Sequence, residues 1–223
     1  MGFTKLTTKK ATALTPQVVT LIVDDSGSMS GTKAHDATEA MKQLVITMQA
    51  ANQGSTGFRF LLNIAKFGDH TTPIAEASRP EAISLGSLVF AGESGSTEMA
   101  EALNWTARTL QRALNDCRNV AGYVEESSPN PLVVFFSDGG NTGVDIAASA
   151  QALKNVHFAG GNVDVVAVGI GMEQKDFPVM ERIASRSDLA VNIDPVELSA
   201  FIADVGATAV RGESSAEMVK KYQ

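Results

Sequence analysis

A chain of 223 residues with 44% hydrophobic content suits one large domain with a substantial core, and its single cysteine, Cys117, rules out an internal disulfide. The formal net charge of −7 leaves no basic excess to neutralise phosphates, which argues against a general nucleic-acid-binding role.

Residues 1–15 read as an N-terminal tail. "MGFTKLTTKKATALTPQ" carries lysines but no apolar segment of secretory type, and Leu6 stands where a myristoylation signal requires Ser or Thr. The first element is "VVTLIVD" (18–24), a β-branched run of the kind found in strands covered on both faces. The period then changes, and Ala34, Ala37, Met41, Leu44 and Met48 fall on one helical stripe. "RFLLNIAKF" (59–67) predicts a second strand, and the segment after it turns back as an edge strand, where Pro73 is tolerated. After an irregular stretch over 77–96, a helix begins near Thr97, with Met99, Leu103, Ala107, Leu110 and Leu114 facing inward. Residues 116–130 read as an exposed excursion before the apolar strand "PLVVFFSD" (131–138).

A helix over 144–155, a strand over 162–170, a helix near 175–185 and a short strand over 189–193 follow. Asp194, Pro195 and Glu197 form a capping-box start for a last helix that buries Leu198, Phe201, Ile202 and Val205. Residues 211–223 read as a loose C-terminal tail. No run of about 18 apolar residues suggests a membrane span. The βαβ alternation predicts one doubly wound α/β domain over 16–210: a mostly parallel central sheet with one antiparallel edge strand and helices on both faces.

Two of the apolar strands end in carboxylates, Asp24 and Asp138. In such sheets, ligands sit beyond the carboxyl ends of the strands where strand order reverses. Ser26 and Ser28 follow the first strand, and Thr97 follows the glycine-rich "GESGS". Carboxylates and hydroxyls without histidine or thiolate form a hard-cation inventory, suited to Mg²⁺, with Mn²⁺ or Ca²⁺ as substitutes. The spacing predicts a metal site of Asp24, Ser26, Ser28, Thr97 and Asp138. Its rim would be Met29, Ser30, Lys33, Ser96, Gly139, Gly140 and Asn141, with Met29 exposed beside the metal.

These three segments, Asp24-Asp25-Ser26-Gly27-Ser28-Met29, Thr97 and Asp138-Gly139, resemble the D-x-S-x-S…T…D-G pattern of von Willebrand factor A domains, the metal-ion-dependent adhesion site. The resemblance spans about 18–207. It implies a Rossmann-like domain binding Mg²⁺ and recognising a carboxylate of a partner protein through the metal. By resemblance, Ser26 and Ser28 ligate directly, Thr97 and Asp138 exchange direct and water-mediated roles, and Asp24 acts through water. Asp25 is a charged residue at a position often uncharged. Its side chain should leave the strand opposite to Asp24 and tune the local field.

The chain also resembles free-standing bacterial cytoplasmic members of tellurium-resistance-associated type. Those are stress-response adaptors or scaffolds beside kinases, phosphatases or AAA+ ATPases. The expectation is therefore a cytoplasmic, non-enzymatic adaptor. The alternatives are an excised extracellular adhesin domain, which usually carries flanking cysteines, and a Mg²⁺-dependent phosphohydrolase of haloacid-dehalogenase type. The latter wants an acid where Ser26 stands. "GSMSGTKA" misses P-loop spacing, and "GIG" (169–171) lacks a third glycine. His35 and His70 read as surface residues, His157 as a helix-end residue, Cys117 as an unreactive thiol, and Trp105 as half exposed or marking a contact surface.

Overall fold

The computed structural model describes residues 9–53 and 57–223; the myristoylation reading, and part of the signal reading over 1–17, fall on 1–8, outside the described residues. The central strand is β1 (Gln17–Asp24), and all eight of its residues are buried, as its unbroken apolar run requires. β2 (Phe60–Phe67) pairs with it in parallel on one side and β4 (Leu132–Ser137) on the other. The sheet runs β3-β2-β1-β4-β5-β6. β5 (Asp164–Ile170) and β6 (Ala190–Ile193) continue it in parallel, while β3 (Thr71–Ser78) is the antiparallel edge and holds Pro73.

The chain winds outward from β1 through α1 (Thr32–Asn52) to β2 and β3. It then returns through α2 (Met99–Arg118) to β4 and proceeds the other way through α3 (Ala147–Lys154), α4 (Pro178–Ile183) and α5 (Leu198–Arg211). Strand order therefore reverses between β1 and β4. Val23 lies opposite Phe136, so the carboxyl ends of the two strands finish side by side. The helices cover both faces, with α1 against α5 and α2 against α3. A Cβ built on Gly206 would lie 3.3 Å from Leu44 Cγ, which measures how closely α5 approaches α1.

The predicted stripes are buried at Ala34, Ala37, Met41, Leu44 and Met48, and at Leu198, Phe201, Ile202 and Val205. Asp194, Pro195 and Glu197 form the capping box before α5. Two expectations fail. Trp105 is buried, with Nε1 donating to Glu76 at 3.0 Å, because the stripe of α2 is wide enough to include it. Residues 211–223 are not loose: Gly212 ends α5 in the left-handed region, and a further helix, α6 (Ser215–Val219), buries Met218 and Val219. Tyr222 then packs its ring 4.8 Å from that of Phe201. Among the described residues no helix is long and apolar enough to cross a membrane.

Candidate metal centre

Asp24 closes β1 with its carboxylate fully buried. One oxygen accepts the N–H of Ser26 at 2.8 Å, and the other accepts the hydroxyl of Ser137, the neighbouring residue of β4. Burial raises its pKa above the usual carboxylate range. The Ser137 and Ser26 hydrogen bonds counter this, while the charge of Asp138 adds to it. The chain then makes one tight turn over Gly27–Met29, which brings Ser26 Oγ within 3.2 Å of Ser28 Oγ. Ser28 Oγ in turn donates to Asp138 Oδ1 at 2.6 Å.

The Asp138 side chain is only 1% exposed, and its second oxygen accepts a hydrogen bond from the ammonium of Lys33. That ammonium also reaches the Ser28 carbonyl oxygen at 3.3 Å. Lys33, expected on the rim, thus sits on a site carboxylate. Met29, also expected exposed, is 1% exposed, because the tight turn folds its side chain into the core as an anchor for the loop.

A strap over 91–97 lies along this loop. Ser94 N–H donates to the Asp25 carbonyl at 3.0 Å, and Gly27 N–H donates to the Ser94 carbonyl at 2.8 Å. The Asp25 carboxylate faces away from Asp24 but binds locally. One oxygen accepts the N–H groups of Ala91 and Gly92 at 2.6 and 2.8 Å, and the other pairs with Lys66 at 2.9 Å. Its two oxygens thereby fasten the strap to the end of β1 and to Lys66 of β2. Gly92 has φ of +67°, and a Cβ there would fall 2.4 Å from the Ser30 nitrogen, so only glycine lets the strap lie this close. Ser96, another rim expectation, is tied to Asp69, which accepts its N–H at 2.8 Å and its hydroxyl at 2.6 Å.

Thr97 joins this strap to the loop that follows β4. Its N–H donates to Thr142 Oγ1 at 2.8 Å, and Thr142 N–H donates back to the Thr97 carbonyl at 3.2 Å. Asn141 Oδ1 accepts the Met99 N–H at 3.2 Å, so Asn141 is partly turned inward to the start of α2. Ser30 is exposed, and Gly139 and Gly140 are partly exposed, as rim positions should be. Beyond Gly140 opens a polar groove lined in part by Asp145, Lys175, Asp176 and Arg182.

The structure therefore joins Asp24, Ser26, Ser28 and Asp138 through a run of hydrogen bonds that includes Ser137, and places Thr97 on the segment stitched to both loops. Sequence reading missed Ser137 and Lys66, and gave Asp69 and Thr142 no role beyond lying in the surface segments 69–76 and 139–143 around the site. Only Ser137 carried a visible signal, as a buried hydroxyl directly before the strand-end acid. His70 is exposed, 3.7 Å from Glu101, and His35 and His157 are exposed too. Cys117 is buried, and desolvation pushes its thiol up to about 12, which leaves it unreactive at neutral pH.

The donor set can be tested against a cation on its chemistry. Every converging donor is an oxygen, and two nearly inaccessible carboxylates face a single nearby ammonium. Among the described residues no three His, Cys, Asp or Glu groups gather as a metal cluster, so a cation here would rest on hydroxyls as much as on carboxylates. That composition fits a hard divalent ion.

The model of a family described as von Willebrand factor type A domain matches residues 19–203. Among solved structures, the pilus adhesin SpaC from Lactobacillus rhamnosus GG is similar, with a TM-score of 0.68 at 15% identity, over 96% of this chain and 32% of that one. Proximal thread matrix protein 1 from the mussel byssus gives 0.63 at 17% identity, over 92% of this chain and 49% of that one. One of its structures is described as having a zinc-occupied MIDAS motif, the adhesion-site pattern named above (TM-score 0.60, 17% identity, 92% and 49% coverage). A von Willebrand factor type A protein from Catenulispora acidiphila gives 0.61 at 19% identity, over 88% and 43%. This chain spans between a third and a half of the length of those structures. A comparison with curated proteins finds no match.

Proposed function

The chain belongs to the von Willebrand factor type A family, and from that premise we propose that it is a Mg²⁺-dependent protein-binding module that recognises an acidic residue of its partner. The observation that carries this reading is the oxygen cluster at the β1–β4 switch point, where Ser26, Ser28 and Asp138 lie within hydrogen-bonding reach of one another. Ser26, Ser28, Thr97 and Asp138 would hold the ion. Asp24 would act through its neighbours, since both its oxygens already accept hydrogen bonds. When bound, the ion supplies a position open to a carboxylate oxygen of the partner. Ser30, Gly139, Gly140 and the groove beyond them would contact the flanking residues and set selectivity.

On the resemblance to free-standing bacterial members, the module would work in the cytoplasm as a stress-response adaptor beside kinases, phosphatases or AAA+ ATPases, without an enzymatic step of its own. Mn²⁺ or Ca²⁺ would substitute for Mg²⁺. An extracellular adhesin domain is the second reading. It is suggested by the names of the pilus adhesin and byssus matrix neighbours, whose likeness at 15–17% identity is one of fold.

Thermal melting tests the metal. Mg²⁺ should raise the melting temperature of the wild type, and Asp138→Ala should remove that rise while still folding; an equal response in both proteins would rule the site out. A pull-down with wild type in Mg²⁺, wild type in EDTA, and Asp138→Ala in Mg²⁺ tests the partner. A protein retained by the first alone supports metal-bridged binding, and equal retention by all three moves the docking surface elsewhere.

A further inference from the structure

The first N–H groups of a helix need acceptors, and the usual source is the residue directly before the helix. In α2 that residue, Glu98, makes no side-chain cap. The Met99 N–H has the nearby Thr97 carbonyl at 3.1 Å and a second acceptor from across the site, and the Thr97 N–H, two residues before the helix, finds its acceptor there too. Thr142 Oγ1 takes the Thr97 N–H at 2.8 Å, and Asn141 Oδ1 takes the Met99 N–H at 3.2 Å. Thr142 N–H then returns a bond to the Thr97 carbonyl at 3.2 Å. The Asn141 amide nitrogen donates to the carbonyls of Gly143 and Val144 at 3.2 and 2.8 Å, which fixes the loop that presents both residues. Three bonds thus clasp the backbone at Thr97 to a segment starting three residues beyond Asp138.

We propose that Thr142 is a positioning residue of the metal centre: its side chain, with Asn141, locks the segment carrying Thr97 to the loop carrying Asp138, so that the two donors are presented as one body. The inference rests on the metal reading given above. Thr142 is itself exposed, so core packing does not fix its side chain. Removing its hydroxyl leaves the Thr97 N–H without its acceptor and lets the strap drift from the β4 loop.

The test uses the full chain and Mn²⁺ alone as the probe, titrated calorimetrically against wild type, Thr142→Val and Thr142→Ser, with melting followed in EDTA and in Mn²⁺. Thr142→Val keeps the shape and loses the acceptor. It should weaken Mn²⁺ binding about tenfold, the scale of one lost hydrogen bond. Thr142→Ser, which keeps the hydroxyl, should stay within about twofold of wild type, the free hydroxyl rotor costing little. Melting in EDTA should move by less in Thr142→Val than melting in Mn²⁺. Wild-type affinity in Thr142→Val, or an equal loss of melting temperature with and without Mn²⁺, overturns the positioning role. A wild type that binds no Mn²⁺ overturns the metal reading, and this inference with it.

Discussion

The two ends of the sheet are closed by opposite chemistry. At the carboxyl end of the parallel strands, where the helices begin, side-chain oxygens take backbone N–H groups: Asp25 from Ala91 and Gly92, Asp69 from Gly95 and Ser96, Thr142 from Thr97. At the amino end, where the helices finish, cations take backbone carbonyls. Lys9 bonds Glu126 and Gly160, Arg59 bonds Ala11 and Ala51, Arg118 bonds His157, and Lys154 bonds Arg182. Of these partners only the Ala51 and Arg182 carbonyls belong to the last turn of a helix, where cations offset the dipole; the others lie in connecting segments. The difference lies in what the bonds hold. Those at the amino end seal connections, whereas those at the carboxyl end hold loops bearing candidate ligands, so damage there should cost binding as well as stability.

Gly92→Ala should have the largest effect. It forces a side chain into a left-handed backbone and onto the Ser30 nitrogen, and should cost about 3 kcal/mol, a melting shift of roughly 6–12 °C. It should also blunt the rise in melting temperature on adding Mg²⁺, because the strap it displaces leads to Thr97. A large loss of stability with the Mg²⁺ increment intact would show that the strap and the site are independent.

The counterpart at the amino end is Arg118→Met. Arg118 makes a forked pair with Glu125 at 2.6 and 2.7 Å, and its hydrogen bonds hold the Glu125 carboxyl below its ordinary range. Loss of this partly buried pair should cost about 1–2 kcal/mol at neutral pH and leave the Mg²⁺ increment unchanged. A depressed carboxylate contributes stability that is complete above its unfolded pKa, near about 4.3, and is lost as pH falls through the folded value. The gap between variant and wild type should therefore narrow in acid melts below about pH 4. A gap constant with pH would assign the loss to packing instead.

Lys33→Met should be the mildest. It removes the ammonium from the nearly inaccessible Asp138 carboxylate, lowering stability in EDTA by about 1 kcal/mol, and it should tighten Mg²⁺ binding a few-fold by removing a competing cation. Weaker Mg²⁺ binding in this variant would instead make Lys33 a support of the occupied site.

The order of elements and the ends of β1 and β4 were readable because buried parallel strands announce themselves as apolar runs, and because acids directly after such runs have few other uses. The strand-end positions of Asp24 and Asp138 followed from that alone. What escaped reading were bonds between segments far apart in sequence: Asp25 with Gly92, Asp69 with Ser96, Thr97 with Thr142. No periodicity encodes them, since each depends on how a loop lies after the sheet has formed. Met29 and the final helix were misread for a different reason. Met29 reads as exposed and residues 211–223 read as a loose tail because isolated apolar residues in polar surroundings carry no periodicity, yet Met29, Met218 and Val219 anchor short segments to the core.

At Gly212 a Cβ would fall 2.8 Å from the Lys9 carbonyl oxygen, so the segment leaving α5 passes against the segment leading into β1. The segment leading into β1 and the turn that ends α5 therefore meet at the pole opposite Asp24 and Asp138. Mechanically, this is a lamp on a socket. A clamp at that junction, between Lys9 and Gly212, would hold the domain from behind and leave the face bearing Asp24 and Asp138 pointing outward.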